Sequence, residues 1–318
     1  MLTYIIRRLL HALLVIVLVS IVVFTLIRLM PGDPIEMLYA ESSVAQLTAE
    51  DMEELRHEAG LDRPIVVQYG NWVLKLLQGD FGKSLMRGFD IGKEVGNRAT
   101  VTLLLGLSSF VVGIVIGPLL GIISAIRRGK FIDNLVSVIA NVGITAPQFW
   151  VAILLIYFFG LKLQLLPMYG YTLPWVNFSQ SVLQSILPIF VGALGIIAST
   201  ARQTRSSVLE TLGEDYIRTG WAKGLNEKKV IFRHVLKNSL MPVVTLSGTM
   251  LRMVVGGSVV VETIFAIPGM GKMMVDGMLS HDYPVVQAMT LIMTMVVVLS
   301  SMLVDLLYGW LDPRIQYE

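Results

Sequence analysis

The chain has 318 residues, of which 54% are hydrophobic and 15% are charged, and its formal net charge at pH 7 is +2. Soluble domains carry about 25% charged residues, and disordered chains combine low hydrophobicity with a high net charge. The composition therefore excludes both classes, and it also excludes a free nucleic-acid-binding protein. The sequence contains no cysteine, which excludes disulfides, thiolate catalysis and cysteine-type zinc sites. The class that remains is a protein of the lipid bilayer.

Six stretches are long and apolar enough to cross a membrane, for which about 20 residues are needed. These predicted spans are Leu9–Ile27, Val101–Ile126, Leu135–Phe159, Leu183–Ala198, Met241–Glu262 and Val285–Leu307. The fourth is the weakest, because it is short and contains Pro188. The first is predicted to be a retained anchor helix rather than a signal peptide, since its apolar run is long and no small-residue cleavage site follows it. We expect an all-α membrane protein with six transmembrane helices.

The basic residues predict the orientation of these spans. Lysine and arginine accumulate after spans two and four, whereas the short loops after spans three and five carry only Lys162 and Lys272. Cytoplasmic loops are enriched in basic residues, so we expect the N-terminus, the even-numbered loops and the C-terminus to be cytoplasmic. The long loop 31–99 has seven basic residues of its own, but long loops cross the membrane largely regardless of charge.

The chain is predicted to have three parts: an anchor helix at 1–30, an extracytoplasmic loop at 31–99, and a core of five spans at 100–318. Two short helices are expected in the loop. The first follows Thr48 with an acidic first turn and ends at Gly60, and the second opens at Pro64. The second helix has an apolar stripe that could pack on the membrane surface, on an external partner or on the protein's own spans. We favour its own spans. The stripe consists of Ile65, Tyr69, Trp72, Val73 and Leu76.

Small residues recur at four-residue spacing along the second span. They are Ser109, Gly113, Gly117 and Gly121. This spacing places them on one helix face, where small side chains let a second backbone approach closely. The pattern predicts tight helix packing, but it leaves open whether the neighbouring helix belongs to this chain or to another.

The cytoplasmic segment 199–240 is too long to be a simple connector, and long loops are usually functional. Apolar residues recur at helical spacing on both sides of Gly224, which predicts a helix–glycine–helix unit with an excess of basic residues. Such a unit could dock into a groove of a partner protein. It could equally buttress the membrane spans, and the residues alone favour neither role.

The sequence shows no motif for catalysis. It lacks a Gly-x-Ser-x-Gly nucleophile and a His-Glu-x-x-His zinc site, and its four histidines lack metal-ligand spacing. Pro268-Gly269-Met270-Gly271-Lys272 lacks the upstream glycine and the Ser or Thr of a phosphate-binding loop. We therefore expect no enzyme, no metal and no bound cofactor. A transport role would take its energy from another subunit.

Ionisable residues are rare inside the predicted spans. Arg252 lies about 16 Å into the fifth span at ~1.5 Å per residue, near mid-membrane. There it could line a translocation path and meet a carboxylate of a solute, or it could form an interhelical hydrogen bond, which is slightly favoured. Glu262 and Asp305 lie near span ends, where a carboxylate can reach water.

These residues together resemble the integral-membrane permease subunits of ABC importers in the dipeptide, oligopeptide and nickel group. The likeness covers nearly the whole chain. Its strongest part is the stretch from Ala201-Arg202-Gln203-Thr204-Arg205 through Glu214-Asp215-Tyr216-Ile217-Arg218 to Ala222-Lys223-Gly224-Leu225. Other matching motifs are Pro31-Gly32-Asp33-Pro34, Gly79-Asp80-Phe81-Gly82, Glu262-Thr263-Ile264-Phe265, Pro268-Gly269-Met270-Gly271 and Asp282-Tyr283-Pro284.

The resemblance implies the fold of a type I ABC importer permease in a bacterial or archaeal cytoplasmic membrane. It implies a second homologous permease subunit, two cytoplasmic ATPase subunits that hold ATP and Mg²⁺, and an extracytoplasmic solute-binding protein. The expected solute is a di- or oligopeptide, with nickel chelates, glutathione or another small solute as alternatives. A stand-alone secondary carrier is less favoured, as is an intramembrane enzyme. Coupling to the ATPase is expected at Glu214, Asp215, Tyr216, Arg218, Thr219, Ala222, Lys223 and Gly224.

Overall fold

The computed structural model describes residues 2–29, 53, 57, 62–252 and 254–311, and it describes side chains at 5–29, 53, 57, 62–227, 229–251 and 258–305. Over these residues the secondary structure is helical, and the only extended pairing is an isolated bridge between Lys83 and Asp90. The first short helix predicted in the loop 31–99 falls outside the described residues.

The helices of the described residues are numbered here in chain order. They are α1 (Leu2–Leu29), α2 (Ile65–Leu77), α3 (Ile91–Ile126), α4 (Phe131–Thr145), α5 (Gln148–Leu155), α6 (Phe178–Leu212), α7 (Asp215–Ala222), α8 (Glu227–Val230), α9 (Leu236–Ser239), α10 (Met241–Arg252), α11 (Val254–Ile264), α12 (Met270–Leu279) and α13 (Tyr283–Leu311). Two π-helical segments continue α5 and α8, at Ile156–Lys162 and Ile231–Val235.

Four of these helices are long and apolar enough to cross a membrane. The qualifying segments are Ile5–Leu29, Ile91–Ile126, Phe178–Leu212 and Tyr283–Asp305. A fifth span results if α4 and α5 are counted together. Many apolar side chains along these helices are exposed, as on α1 at Leu10 and Leu14. A bilayer would cover such surfaces, because a soluble protein rarely exposes large contiguous apolar patches.

The predicted third span, Leu135–Phe159, is broken by a sharp bend in the structure. α4 and the α5 segment are bent by 111° at Ala146 and Pro147. Proline has no backbone N–H to donate, and it disfavours the helical conformation of the preceding residue. Ala146 accordingly has an extended backbone with ψ of 130°. The apolar composition runs on through the bend, so composition alone does not reveal it.

The fourth predicted span differs in length from the observed helix. The fourth is longer than expected, because α6 runs for 35 residues from Phe178 and continues through Pro188 to Leu212. The Asn177 side chain begins it by accepting a hydrogen bond from the Gln180 backbone N–H. The predicted fifth span corresponds to α10 and α11, which lie on either side of the undescribed residue 253.

The chain divides into two compact units. The first contains Met1–Thr100 and Lys272–Met302. In this unit α2 packs on α1. This is the arrangement that we favoured for the apolar stripe of α2, which was expected to pack on the protein's own spans. The Tyr69 and Trp72 rings contact the Phe24 ring with centroids 5.4 and 5.5 Å away, and the Tyr69 and Ser20 hydroxyls share a hydrogen bond of 2.8 Å. α2 ends at Leu77, just before Gly79 adopts a φ of +81°.

The second unit contains Val101–Gly271 and Leu303–Gln316, and it has two buried apolar clusters. One cluster brings together parts of α3, α5, α6 and α11. Its members are Val101, Leu105, Ala152, Leu187, Val191 and Val261, with Phe265 and Ile267 beyond α11. The other lies where α3 and α6 meet the segment after α6. Its members are Ala125, Val208, Ile217, Val230 and Val235. These two clusters fix the positions of the features described next.

Candidate functional site

α7 presents one buried face and one exposed face. Ile217 is 1% exposed and belongs to the apolar cluster shared with α3, α6 and α8. All eight residues predicted for ATPase coupling are exposed: Glu214, Asp215, Tyr216, Arg218, Thr219, Ala222, Lys223 and Gly224. Sequence reasoning expected them in one helix–glycine–helix unit, and the structure brings them together on a single short helix and its two ends. We call the segment from Glu214 to Ser239 the hairpin.

The hairpin is closed by a turn that needs glycine. Gly224 has a φ of +76°, which is the left-handed region that residues with a Cβ avoid. The Gly224 N–H donates to the Trp221 carbonyl at 2.9 Å, and the Leu225 N–H donates to the Gly220 carbonyl at 3.3 Å. These bonds cap the end of α7. The helix also runs without a break through Gly220.

A hydrogen bond ties α7 to the far side of the hairpin. The Asn238 side-chain amide donates to the Tyr216 hydroxyl at 2.9 Å. At the outer surface Arg218 lies 3.4 Å from Asp215, whose side chain is 95% exposed. Such an exposed pair contributes little to stability. The exposed face of α7 is therefore available for contact with another protein. The opposite face is held in place by Ile217, which is buried in the apolar cluster.

An ion pair between a buried carboxylate and a partly exposed guanidinium connects three helices near the end of α6. The Arg205 guanidinium donates to both carboxylate oxygens of Asp133, at 2.7 and 2.9 Å. The same carboxylate accepts the Ser124 hydroxyl at 2.5 Å and the Gly129 backbone N–H at 2.8 Å. Ser124 belongs to α3, Asp133 to α4 and Arg205 to α6. We call this group the clasp, because its hydrogen bonds connect the three helices.

The stripe of small residues on α3 packs against α6 of the same chain. A Cβ added at Gly113 would lie 2.5 Å from Ile196 Cγ2, and one at Gly121 would lie 2.5 Å from the Ala201 carbonyl oxygen. At Gly117 it would overlap Thr200 Oγ1. Ser109 sits opposite Gly192. These distances answer the question that the sequence left open about which helix lies against the stripe.

A cavity of about 390 Å³ opens within the second unit. Its lining comes from α3, α4, α5, α6, α10 and α11 and includes Gly106, Ser109, Gln148, Gly192, Gly195 and Glu262. The Gln148 side-chain amide donates to the Val191 carbonyl at 3.3 Å. Sequence reasoning named Ser109 for helix packing and Glu262 as a carboxylate near a span end, but it assigned neither to a cavity.

Glu262 does not reach water, contrary to the expectation from its place near a span end. It is 0% exposed, and its carboxylate accepts the Thr102 hydroxyl at 2.7 Å. The Thr102 hydroxyl in turn accepts the Met270 backbone N–H at 2.8 Å. Gly269 and Gly271 leave room for the carboxylate, because a Cβ at Gly269 would overlap it. The glycines of the Pro268-Gly269-Met270-Gly271 motif therefore form a cradle for this carboxylate.

Two further predictions from the sequence concern Arg252 and metal binding. Arg252 is the last residue of α10, but its side chain lies outside the described residues, so its path-lining role stays a prediction. Among the residues that the structure describes, no group of three or more His, Asp or Glu side chains could hold a metal ion.

Sequence reasoning missed the clasp and the cavity glycines. A signal for the clasp was present in part, since Asp133 and Arg205 are charged residues at the ends of apolar runs. Their separation of 72 positions gives no hint of the pairing. Gly195 differs from the glycines of the α3 stripe only in what faces it, which a single sequence does not reveal.

The described residues define a helical membrane protein with an anchored, exposed hairpin after a long membrane helix and a cavity among its helices. The chain belongs to the family of binding-protein-dependent transport system inner membrane components. The model of this family matches residues 117–317. A second family model, for the N-terminal part of the same membrane components, matches residues 1–88. The chain is thus a multi-pass protein of the bacterial inner membrane.

Relatives match along the full chain. A Brucella suis protein named as a peptide permease is 41% identical over 319 residues, which is 99% of each chain. The oligopeptide transport system permease protein AppB of Bacillus subtilis is 38% identical over 320 residues and 100% of each chain. A crystal structure of an amino acid ABC transporter shares the fold, with a TM-score of 0.50 and 12% identity over 69% of this chain and 94% of that one.

Proposed function

We propose that the chain is the permease subunit of an ATP-driven importer, and that it forms half of the translocation path for di- or oligopeptides delivered by an extracytoplasmic solute-binding protein. The observation that carries the proposal is the full-length similarity to relatives named as peptide permeases, at 41% and 38% identity. The cavity among the helices of the second unit supports it.

In this proposal the chain crosses the membrane six times, with both termini in the cytoplasm. Counting α4 with α5 as one span and α10 with α11 as another gives six, together with α1, α3, α6 and α13. Basic residues after α3 and after α6 then lie on the cytoplasmic side. The hairpin that follows α6 projects into the cytoplasm.

The proposed partners are a second homologous permease, two cytoplasmic ATPase subunits and the solute-binding protein. ATP and Mg²⁺ would bind to the ATPases, and this chain would catalyse no reaction. Binding of ATP draws the two ATPases together, and a groove in each holds the exposed face of α7. The hairpin then moves with its ATPase, and the helices joined by the clasp turn between inward-open and outward-open states as a rigid body.

The test is peptide uptake by vesicles that contain the whole transporter with its ATPases and binding protein. Asp215→Arg reverses the charge of a fully exposed side chain on α7 without removing a buried contact. Loss of a central interface residue costs about 2 kcal/mol or more, or about thirtyfold in affinity. We expect Asp215→Arg to lower ATP-driven uptake by at least that factor while the purified chain keeps its thermal stability.

Glu53→Arg is the matched control, since it makes the same charge change at an exposed residue of the predicted outer loop. Uptake by this variant should equal that of the unaltered transporter. Full transport by Asp215→Arg, or solute uptake by the isolated chain without ATPase subunits, would contradict the proposal.

A further inference from the structure

We infer that the cavity in the second unit is a binding site for the peptide main chain, where Ser109 hydrogen-bonds a peptide amide and Gly195 limits the bulk of the side chain that passes. The inference rests on the proposed function and deepens it. It assigns a contact with the peptide to Ser109 and a limit on side-chain size to Gly195.

The size and lining of the cavity suit a small peptide. Ligand sites measure roughly 300–1,000 Å³, and this cavity has about 390 Å³. Gly106, Gly192 and Gly195 contribute backbone instead of side chains to its wall. At these glycine positions the wall leaves space, which allows an extended chain to lie close to the helix backbone there.

The Ser109 hydroxyl offers a hydrogen-bonding group to a ligand in the cavity. Ser109 is 7% exposed and lines the cavity, yet its hydroxyl has no hydrogen-bond partner among the described residues. The hydroxyl oxygen is not among the sealed, unpartnered polar atoms of the described residues, so it is open to the cavity. A peptide amide in the cavity could hydrogen-bond to it, because a serine hydroxyl both donates and accepts.

The chemistry of the lining favours the main chain over charged side chains. Ser109 can donate and accept, and the Gln148 carboxamide has an oxygen left to accept while its nitrogen binds the Val191 carbonyl. The Glu262 carboxylate is already engaged by Thr102. Hydroxyl and carboxamide groups match the N–H and C=O of a peptide unit, which every peptide has whatever its sequence.

Gly195 is unlike the neighbouring glycines of the α3–α6 interface. A Cβ at Gly113, Gly117 or Gly192 would press on atoms of the facing helix, whereas a Cβ at Gly195 would meet nothing within 4 Å. A side chain placed at position 195 would therefore extend into open space beside the cavity without displacing the protein. It would take up room that a bulky solute side chain needs.

The experiment compares uptake of trialanine and of Ala-Trp-Ala by vesicles with the complete transporter. Discrimination by size in a pocket amounts to about 10–200-fold, so Gly195→Leu should reduce Ala-Trp-Ala uptake by about tenfold or more relative to trialanine. Gly96→Leu is the matched control. Gly96 is also exposed, helical and without neighbours within 4 Å, but it does not line the cavity, and its variant should keep the original ratio.

Ser109→Ala tests the hydrogen bond. One neutral hydrogen bond contributes about 0.5–1.5 kcal/mol, or about 2–12-fold. We expect this variant to raise the KM of both peptides by that factor with little change in maximal rate, since a packing defect alone would lower the amount of active transporter instead.

An unchanged peptide ratio in Gly195→Leu would overturn the inference. Failure of that variant to assemble with its partner permease, while Gly96→Leu assembles, would also overturn it, because position 195 would then face the partner. If the unaltered transporter carries neither peptide, the proposed function itself fails, and the two failures are thereby distinguished.

Discussion

Removing the Arg205 side chain should destabilise the protein more than removing its partner Asp133. The Asp133 side chain is 3% exposed, whereas that of Arg205 is 33% exposed. Arg205→Ala leaves a buried carboxylate with only Ser124 and Gly129 as donors, and breaking a buried pair costs about 3–5 kcal/mol. Because Arg205 is partly solvated, we take the lower end, about 3 kcal/mol.

Asp133→Ala should cost less, about 2 kcal/mol, because the Arg205 guanidinium can turn toward water while Ser124 loses its acceptor. Without the Asp133 carboxylate, the Arg205 guanidinium contributes little to the free energy of unfolding. The double variant should therefore be no worse than Arg205→Ala, and the coupling energy from the double-mutant cycle should be about 2 kcal/mol.

The assay is thermal unfolding of the purified chain in detergent. A loss of 1 kcal/mol corresponds to a shift in Tm of about 2–4 °C for chains of 150–250 residues, and the shift falls with length. For this chain of 318 residues we take the lower end, about 2 °C per kcal/mol, so Arg205→Ala should lower Tm by about 6 °C. Arg202→Ala removes an exposed arginine one turn away on α6 and should leave Tm nearly unchanged. Additive effects of the two single substitutions in the clasp, or an equal shift for Arg202→Ala, would refute the reasoning.

Two further predictions concern the glycine contacts and use the same melting assay. Gly117→Ala should destabilise by about 1–3 kcal/mol, because its Cβ would overlap Thr200 Oγ1 and lie 2.7 Å from the Ile197 carbonyl oxygen; a melting temperature at or above the original would show that α3 and α6 separate easily. Glu262→Ala should cost about 2–4 kcal/mol, since it empties the glycine cradle and strips the Thr102 hydroxyl of its acceptor. Glu262→Gln keeps the volume and should restore part of that loss, and equal losses for both variants would contradict this account.

Local chemistry made part of the fold predictable. α2 begins after Pro64 and ends before Gly79, both of which impose backbone conformations on their immediate surroundings. The four small residues of α3 also predicted a close helix contact, because that depends on side-chain size along one face. Such features need no knowledge of what lies elsewhere in the chain.

Features that depend on distant residues could not be derived in the same way. The apolar run through Pro147 hides a bend of 111°, because membrane helices often tolerate proline. Pro188 lies inside α6 without ending it, so proline alone does not distinguish the two cases. The buried state of Glu262 depends on Thr102, which is 160 positions away.

α6 connects the cavity to the hairpin as one continuous element. Gly192 and Gly195 line the cavity, Arg205 forms the clasp, and Leu212 ends the helix just before the hairpin. At 1.5 Å per residue, the helix spans about 26 Å from Gly195 to Leu212. A load on the hairpin that passes the short turn at Gly213 would reach the cavity along a continuous hydrogen-bonded helix. Because the clasp also grips α3 and α4, the same load would shift the cavity wall on both sides of α6, and energy supplied at the exposed face of α7 could change the shape of the cavity without any chemistry in this chain.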